Sequence, residues 1–576
     1  MIPLNNIKRL IVIIILFICS IFTGCKDENN IVYPEDKEKM EITFVISGIE
    51  NEDRESIQQN SKNRGSLLQR PSNLLSTSTV HISDQIDAIV TFKEYDILLT
   101  EDNNKLDTLP IEESKVKLNK NSASSPLAEG VTYIVVLYDA NDDYVATINA
   151  SSGISPVFTE AYRNRLYKWF AYSFNSTNPI TLNSTSNPTA PSTSGSGLLY
   201  ASGEFMTSST QPTNRLNITF QRKTAAIEVI VDGRGLFDKL TTLTITNTAN
   251  AHLKSGTFDL KTGMYITNTI NNYNPTISDS EFTNFRISTL DTIRSAYLHT
   301  VDTDNAIENF GLRFGTIYQL TDLPGVYNGE DRRRTFSNVE FTFPNLSAFT
   351  PKIGKKYQIV ITLVFRYLTV NNVDWAWTNL YFDSNKSLYA FRHHNTNAYR
   401  TSILDEFWNW RSEKPGINAS TDILDPCGQV FPKGRWRMPT SIEFNSIREV
   451  PLGISTYGRS NAKSEDPVRY IDIGLSEASF APYFYITDLP LLQLGYRNAG
   501  SDNIINYVTT DSGTAGVYFW TSDASTGGDA KYFSIINDSS TGTVMTVSNI
   551  DATMGRNVGM NIRCVRDNTY VYSTDL

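Results

Sequence analysis

LNITFQRKTAAIEVIVDG, residues 216–233, carries the pattern that decides the fold: apolar side chains fall at every second place in two runs separated by the polar QRKT. A strand sends successive side chains to opposite faces, so this spacing predicts two half-buried strands rather than a helix. KKYQIVITLVFRYLTV, residues 355–370, repeats the pattern and closes a β-rich unit over 217–373. Upstream, TYIVVLYDA followed by NDDYVATI, residues 132–148, reads as a hairpin. Further strands are expected at 87–92, 116–118 and 166–174, and the Ser/Thr/Asn/Pro-rich stretch 175–197 as loop. These make a first sandwich, within a unit spanning 41–216. Composition agrees: only 19% of the 576 residues are charged and 11% are aromatic, with many Tyr, Thr, Ser and Asn, which favours strands over long helices.

At the N-terminus, Lys8 and Arg9 precede an apolar run over 10–22 that ends in Thr23-Gly24-Cys25. The run is too short for a convincing membrane span and reads as a signal peptide over 1–24. Small residues before a cysteine resemble the lipobox of bacterial lipoproteins, which makes Cys25 the expected lipid attachment site; an ordinary secretory signal is the alternative. Lys26-Asp27-Glu28 resembles the signal that sends Bacteroidetes lipoproteins to the outer face of the outer membrane. Residues 25–40 are too polar to pack and read as a tether. EITFVISGI, 41–49, is a strand by its β-branched content. The polar stretch 51–79 is read as a long loop holding Arg54, Arg64 and Arg70. Cys19 lies in the signal and Cys25 takes the lipid, so Cys427 and Cys564 remain, and two thiols in an exported protein suggest one disulfide.

Six of the seven tryptophans lie at 375, 377, 408, 410, 436 and 520, marking residues 374–576 as a domain of another type. Within it, Thr440 followed by Glu443 predicts a capped helix start with Ile442, Phe444 and Ile447 as its apolar residues. Trp436, Trp520, Tyr496 and Arg497 read as scaffold. A disulfide between Cys427 and Cys564 closes a loop of about 138 residues, worth about 4 to 5 kcal/mol in the chain-entropy model.

Several of these stretches carry a family likeness. YIVVLYDANDDYV (133–145), RLYKWFAYSFNS (165–176), FQRKTAAIEVIVD (220–232) and GTFDLKTG (256–263) resemble the fimbrillin family, the type V pilins of Bacteroidetes, over roughly residues 40–372. The motifs NLYFD (379–383), DPC (425–427), GRWRMPTSIEFNSI (434–447), LGYRNAG (494–500), VYFWTS (517–522) and NIRCVRD (561–567) resemble, in order, the Fibrobacter succinogenes major paralogous domain, a C-type-lectin-like fold. The VFPK-GR insertion departs from that pattern. The expected fold class is therefore mainly β: two fimbrillin-type, transthyretin-like β-sandwich domains, 41–216 and 217–373, followed by an α+β C-type-lectin-like domain, 374–576.

The fimbrillin resemblance implies assembly by strand exchange. A trypsin-like protease cuts after an arginine beyond the first strand, that strand leaves, and a neighbouring pilin's strand fills the groove. Here 41–49 is the leaving strand and Arg64, which precedes Gly65, the expected cleavage site; Arg54 is second, and Arg70 precedes an unfavourable proline. Only twelve residues follow Cys564, reaching at most about 40 Å, so the chain is equipped to accept a strand but poorly equipped to donate one. That points to the tip of a fimbrium on the cell surface. Its partners would be other pilin subunits, the outer membrane through the Cys25 lipid, and an extracellular glycan or protein. Candidate ligand contacts lie on two polar loops, Tyr457, Arg459, Asn461, Glu465 and Asp466 on one, Asn498 and Asp502 on the other.

Other functions are disfavoured. A net charge of −10 repels a phosphate backbone, so no nucleic-acid partner is expected. No HExxH, GxSxG or phosphate-cradling loop is present, no lectin-type calcium triplet occurs, and His393-His394 would point to opposite faces of a strand. No metal, cofactor or catalytic residue is expected. A non-pilus glycan-binding lipoprotein, or a surface glycan hydrolase, is the alternative.

Overall fold

The computed structural model describes residues 38–50, 73–83, 86–95, 124–192, 197–237, 239–247, 253–285, 292–301, 306, 311–320, 333–342, 349–391, 406–448, 458–459, 469–473, 489–506, 514–538 and 544–572. Strand makes up 53% and helix 4%, so the chain is mainly β, as its composition predicts. The signal peptide, Cys25, the three loop arginines, the 116–118 strand and the histidine pair lie outside the described residues.

The first half of the chain supplies β1 (Lys39–Glu50), β2 (Asn73–Ser83), β3 (Ile86–Tyr95), β4 (Ser124–Ser125), β5 (Thr132–Asp139) and β6 (Tyr144–Ser151). There follow β7 (Val157–Tyr162), β8 (Leu166–Ser173), β9 (Thr189–Pro191), β10 (Leu199–Met206), β11 (Thr213–Arg222), β12 (Ala225–Gly235) and β13 (Leu240–Asn247). The first sheet runs β4-β1-β11-β10-β8-β5-β6, with β7 also on β1. The β5–β6 hairpin forms as read. Asp139 accepts hydrogen bonds from the backbone N–H groups of Asn141 and Asp143 at 2.8 and 3.0 Å, and Asp142 takes φ 67°.

Both faces of β5 are covered, which is why it is apolar at nearly every position. Tyr133, Val135 and Leu137 meet Met40, Ile42 and Phe44 of β1 and Phe220 of β11. Ile134, Val136 and Tyr138 face the other way, against Tyr172, Tyr200 and Phe258.

The second sheet runs from Thr283–Asn284 through Ile293–Thr300, β12, Lys356–Phe365 and β3 to β2. One face carries Ile227, Val229, Val231, Ile359 and Ile361 into a core shared with Leu243, Ile245 and Phe314 of a facing four-stranded sheet. Two expectations are corrected here. The 87–92 strand, expected in the first sandwich, lies in β3 and pairs with Lys356–Phe365, Val90 opposite Ile361. Residues 73–79, read as loop, form most of β2, an edge strand. Alternation shows that a strand is half-buried but not which sheet it joins, and the Ser/Thr-rich β2 has too weak an apolar pattern to stand out.

His299 sits where the two sheets meet. Its Nδ1 is 3.3 Å from Thr224 Oγ1, and a Cβ on Gly197 would come within 2.8 Å of its ring. Burial, with Arg222 nearby, holds its pKa down to about 4. The unfolded chain therefore binds the extra proton first, and stability falls as pH drops from about 6.5 to 4, by at most about 3 kcal/mol. Urea midpoints between pH 7 and 4 should show this slope, flattened in His299→Gln.

Lys356–Phe365 runs directly into a hairpin, Leu368–Val370 with Val373–Trp375, whose last residue pairs with Val565. Val565–Arg566 also pairs with Trp436–Arg437, so both ends of the C-terminal region share one sheet. The Cys427–Cys564 disulfide forms beside it. Trp408, Trp410, Trp436 and Trp520 are buried as scaffold, in the same cluster as the second sandwich. The joint runs through Phe237, Phe391 and Trp436, with ring centroids 5.7 and 5.0 Å apart. Arg435 pairs with Asp87 at 3.7 Å across this joint, both buried, and Arg234 lies 4.1 Å over the Phe431 ring.

The predicted cap forms: Glu443 accepts from the Thr440 backbone N–H at 2.8 Å and its own N–H donates to Thr440 Oγ1 at 3.2 Å. The helix is a single turn, Asn445–Arg448, preceded by turns. Phe444 and Ile447 are buried, but Ile442 is 70% exposed and not part of the apolar face as expected. Positions two apart on a helical turn do not share a face, whereas 444 and 447 do.

Candidate functional site

β1 lies inside the first sheet, parallel to β11 on one edge and antiparallel to β7 and β4 on the other. Its alternation buries Met40, Ile42 and Phe44 at 3%, 0% and 0% exposure. The period then breaks: the register with β11 slips between Ile46 and Gly48, where Gly48 takes φ 122°. That bulge turns Ile49 back into the core, at 4% exposure. A glycine inside an apolar strand is the sequence signal for it.

Four buried apolar side chains at about 1.5–3 kcal/mol each give roughly 6–12 kcal/mol, as much as the net stability of an ordinary domain, about 5–15 kcal/mol. The first sheet thus depends on having a strand in this channel. Held only by side chains and backbone hydrogen bonds, that strand need not be covalently part of the chain. The clamps at its ends are weaker and more exposed. Lys39 pairs with Glu160, Arg163 with Glu38 at 3.1 Å, and Gln221 donates to Glu50 at 2.9 Å. Sequence reasoning did not single out these clamps, because their partners lie more than a hundred residues apart.

The described chain resumes after β1 at β2, which belongs to the second sheet. Residues 51–72, with Arg54, Arg64 and Arg70, therefore link strands of two different sheets. A cut there would leave β1 held in the first sheet by noncovalent contacts on its C-terminal side.

The ligand-loop candidates divide. Tyr457, Asn461, Glu465 and Asp466 lie outside the described residues, and Arg459 is described only as the backbone of a short strand paired to Arg469. Asn498 and Asp502 come together in one turn, closed by Asn498 N–H to the Asn503 carbonyl at 3.0 Å, with Asp502 exposed. Arg497 holds that turn from beneath, donating to the carbonyls of Asn498 and Ser501 at 3.0 and 3.1 Å and to Asn409 Oδ1 at 2.5 Å. It is fully buried, with Gly559 leaving room for its guanidinium, and so is scaffold, as read. Among the described residues no three His, Cys, Asp or Glu side chains converge as a metal site, and no helix is long and apolar enough to cross a membrane.

No protein-family model and no curated protein matches the chain. Solved structures do match in part. One is a Bacteroides fragilis protein provisionally named a cell adhesion protein, 14% identical with a TM-score of 0.28, covering 45% of this chain and 93% of that one. The fimbrial anchor protein Mfa2 from Porphyromonas gingivalis matches at 13% identity and TM-score 0.20, over 33% of this chain and 71% of its own. A fimbrial assembly protein from Parabacteroides distasonis matches at 12% and 0.20, over 41% and 87%.

Proposed function

We propose that this protein is a surface-exposed lipoprotein that acts as a fimbrial tip adhesin, assembled by strand exchange after its first strand is removed. The observation that carries the reading is β1: an inserted strand with four buried anchors, connected to a different sheet through an arginine-bearing segment. Cutting after Arg64 frees residues 25–64, and a strand from a neighbouring pilin subunit takes the vacated channel, paired to β11 and β7. The C-terminal region, with the lectin-like motif order, then carries the contact with an extracellular glycan or protein. Lipid on Cys25 holds the precursor at the outer membrane until the cut.

The packing of Tyr570 and Tyr572 supports a subunit that accepts without donating. Tyr572 hydroxyl lies 2.8 Å from Thr362 Oγ1, on the second sheet, and Tyr570 packs by Gly434. The last described residues are thus folded back on their own molecule. Immunogold labelling of the C-terminal region should mark fibre ends only, and deleting residues 568–576 should leave assembly intact. Label along the shaft, or loss of fibres on deletion, would show that the subunit donates a strand.

Anchoring has its own test. Cys25→Ala should abolish palmitate incorporation and release the precursor from the outer membrane; undiminished label in the variant contradicts lipidation at this residue.

A further inference from the structure

We propose a second ligand site, for a neutral oligosaccharide, on the first sandwich at the outer end of its sheet. β6 is the edge strand there, and beside it the chain over 180–185 forms one wall of an open groove of about 580 Å³. That volume lies within the range of small-molecule sites, about 300–1,000 Å³.

The lining has the chemistry of sugar recognition. Tyr144 stands at the mouth, 43% exposed, its ring held edge-on by Tyr138 at 6.1 Å and its hydroxyl donating to Thr147 Oγ1 at 3.0 Å. A fixed, exposed aromatic face is what the apolar face of a pyranose stacks on. Around it, Asn149 offers an amide, and Thr147 and Ser184 offer hydroxyls. Ile180 and Leu182 give an apolar floor continuous with the core beneath. Among the described residues no Asp, Glu, Lys, Arg or His lines the groove, so a charged ligand would leave its charge uncompensated by them. A strand-adding peptide needs a row of pockets for alternate side chains, and this wall of hydroxyls and amides offers none.

The groove is also preformed. A Ser/Thr/Asn-rich stretch would ordinarily be mobile, but here Tyr138 hydroxyl donates to the Thr185 carbonyl at 2.6 Å. Asn183 Oδ1 accepts from Thr189 N–H and Ser184 Oγ from Asn187 N–H, both at 3.1 Å. Ordering the wall before the ligand arrives lowers the entropy cost of binding. The site lies on the Ile134, Val136, Tyr138 face of the sheet, opposite the channel that holds β1. It therefore persists whichever strand fills that channel.

The test is saturation-transfer NMR and titration calorimetry on the purified full chain. The probes are maltotriose, cellotriose, mannotriose and tri-N-acetylchitotriose, with trigalacturonate and an eight-residue Ser/Thr peptide as contrasts. At least one neutral trisaccharide should bind with Kd of about 0.1–10 mM. Tyr144→Ala should weaken it about tenfold or more and Asn149→Ala by a few fold, while Tyr162→Ala, an exposed tyrosine on β7, leaves it unchanged. The proposal is overturned if no neutral trisaccharide binds, if trigalacturonate or the peptide binds instead, or if Tyr144→Ala binds as wild type. Binding lost in Asp502→Ala but kept in Tyr144→Ala would place the sugar at the C-terminal loops and overturn it as well.

Discussion

A chain cut after Arg64 and stripped of its first strand should unfold in the first sandwich and be rescued by a synthetic peptide spanning residues 39–50, whereas the same peptide with Phe44→Ala should rescue poorly. Phe44 is fully buried among Tyr133, Val135 and Phe220, and truncating such a phenylalanine costs about 3–5 kcal/mol. At about 1.4 kcal/mol per tenfold, that is a loss of about two to three and a half orders of magnitude in peptide affinity. Replacing Thr43, whose side chain is half-buried, should matter little. Fluorescence of Trp169, which lies in the same core, reports the refolding. Equal rescue by both peptides would mean that the channel does not read its strand through these pockets, and a first sandwich that stays folded without any strand would remove the driving force for exchange.

The second large effect is expected at the disulfide. Cys427→Ser opens a closed loop with a sequence separation of 137 and should cost about 4–5 kcal/mol in the chain-entropy model, lowering the melting temperature by on the order of 10 °C. Because the cluster around Cys427 and Cys564 continues through Trp436, Phe391 and Phe237 into the second sandwich, that sandwich should melt together with the C-terminal region. Calorimetry should show one shifted transition for both. A second sandwich that keeps its wild-type transition would show that the shared core is not one cooperative unit, and two reactive thiols in unreduced protein would show that the bond does not form.

Much of this was legible in the sequence, and the exceptions have physical causes. Apolar residues at every second place in 216–233 and 355–370 gave strands that the structure contains, although β12 and Lys356–Phe365 are buried on both faces rather than half-buried, and the Asp139 turn gave its hairpin. The Thr440–Glu443 cap was legible because both partners lie within one turn. What could not be read was long-range pairing: β3 joining the second sheet, β1 lying parallel to β11, and Asp87 meeting Arg435 across the joint between the second sandwich and the C-terminal region. Local pattern fixes which side of a strand is buried, while its neighbours are chosen by contacts between residues far apart in the chain. The groove beside β6 was missed for a related reason. The Ser/Thr/Asn/Pro-rich composition of 175–197 predicts loop, whereas 189–191 form β9 and the hydrogen bonds from Tyr138 and Thr189 hold 183–185 as a fixed wall.

The central claim is that β1 is a removable strand, and N-terminal sequencing of the protein as it stands on the cell surface tests it most directly. A mature chain beginning at Gly65, with residues 25–64 lost from assembled fibres, is the predicted result. A mature chain that still begins at lipidated Cys25 and carries β1 throughout would contradict it.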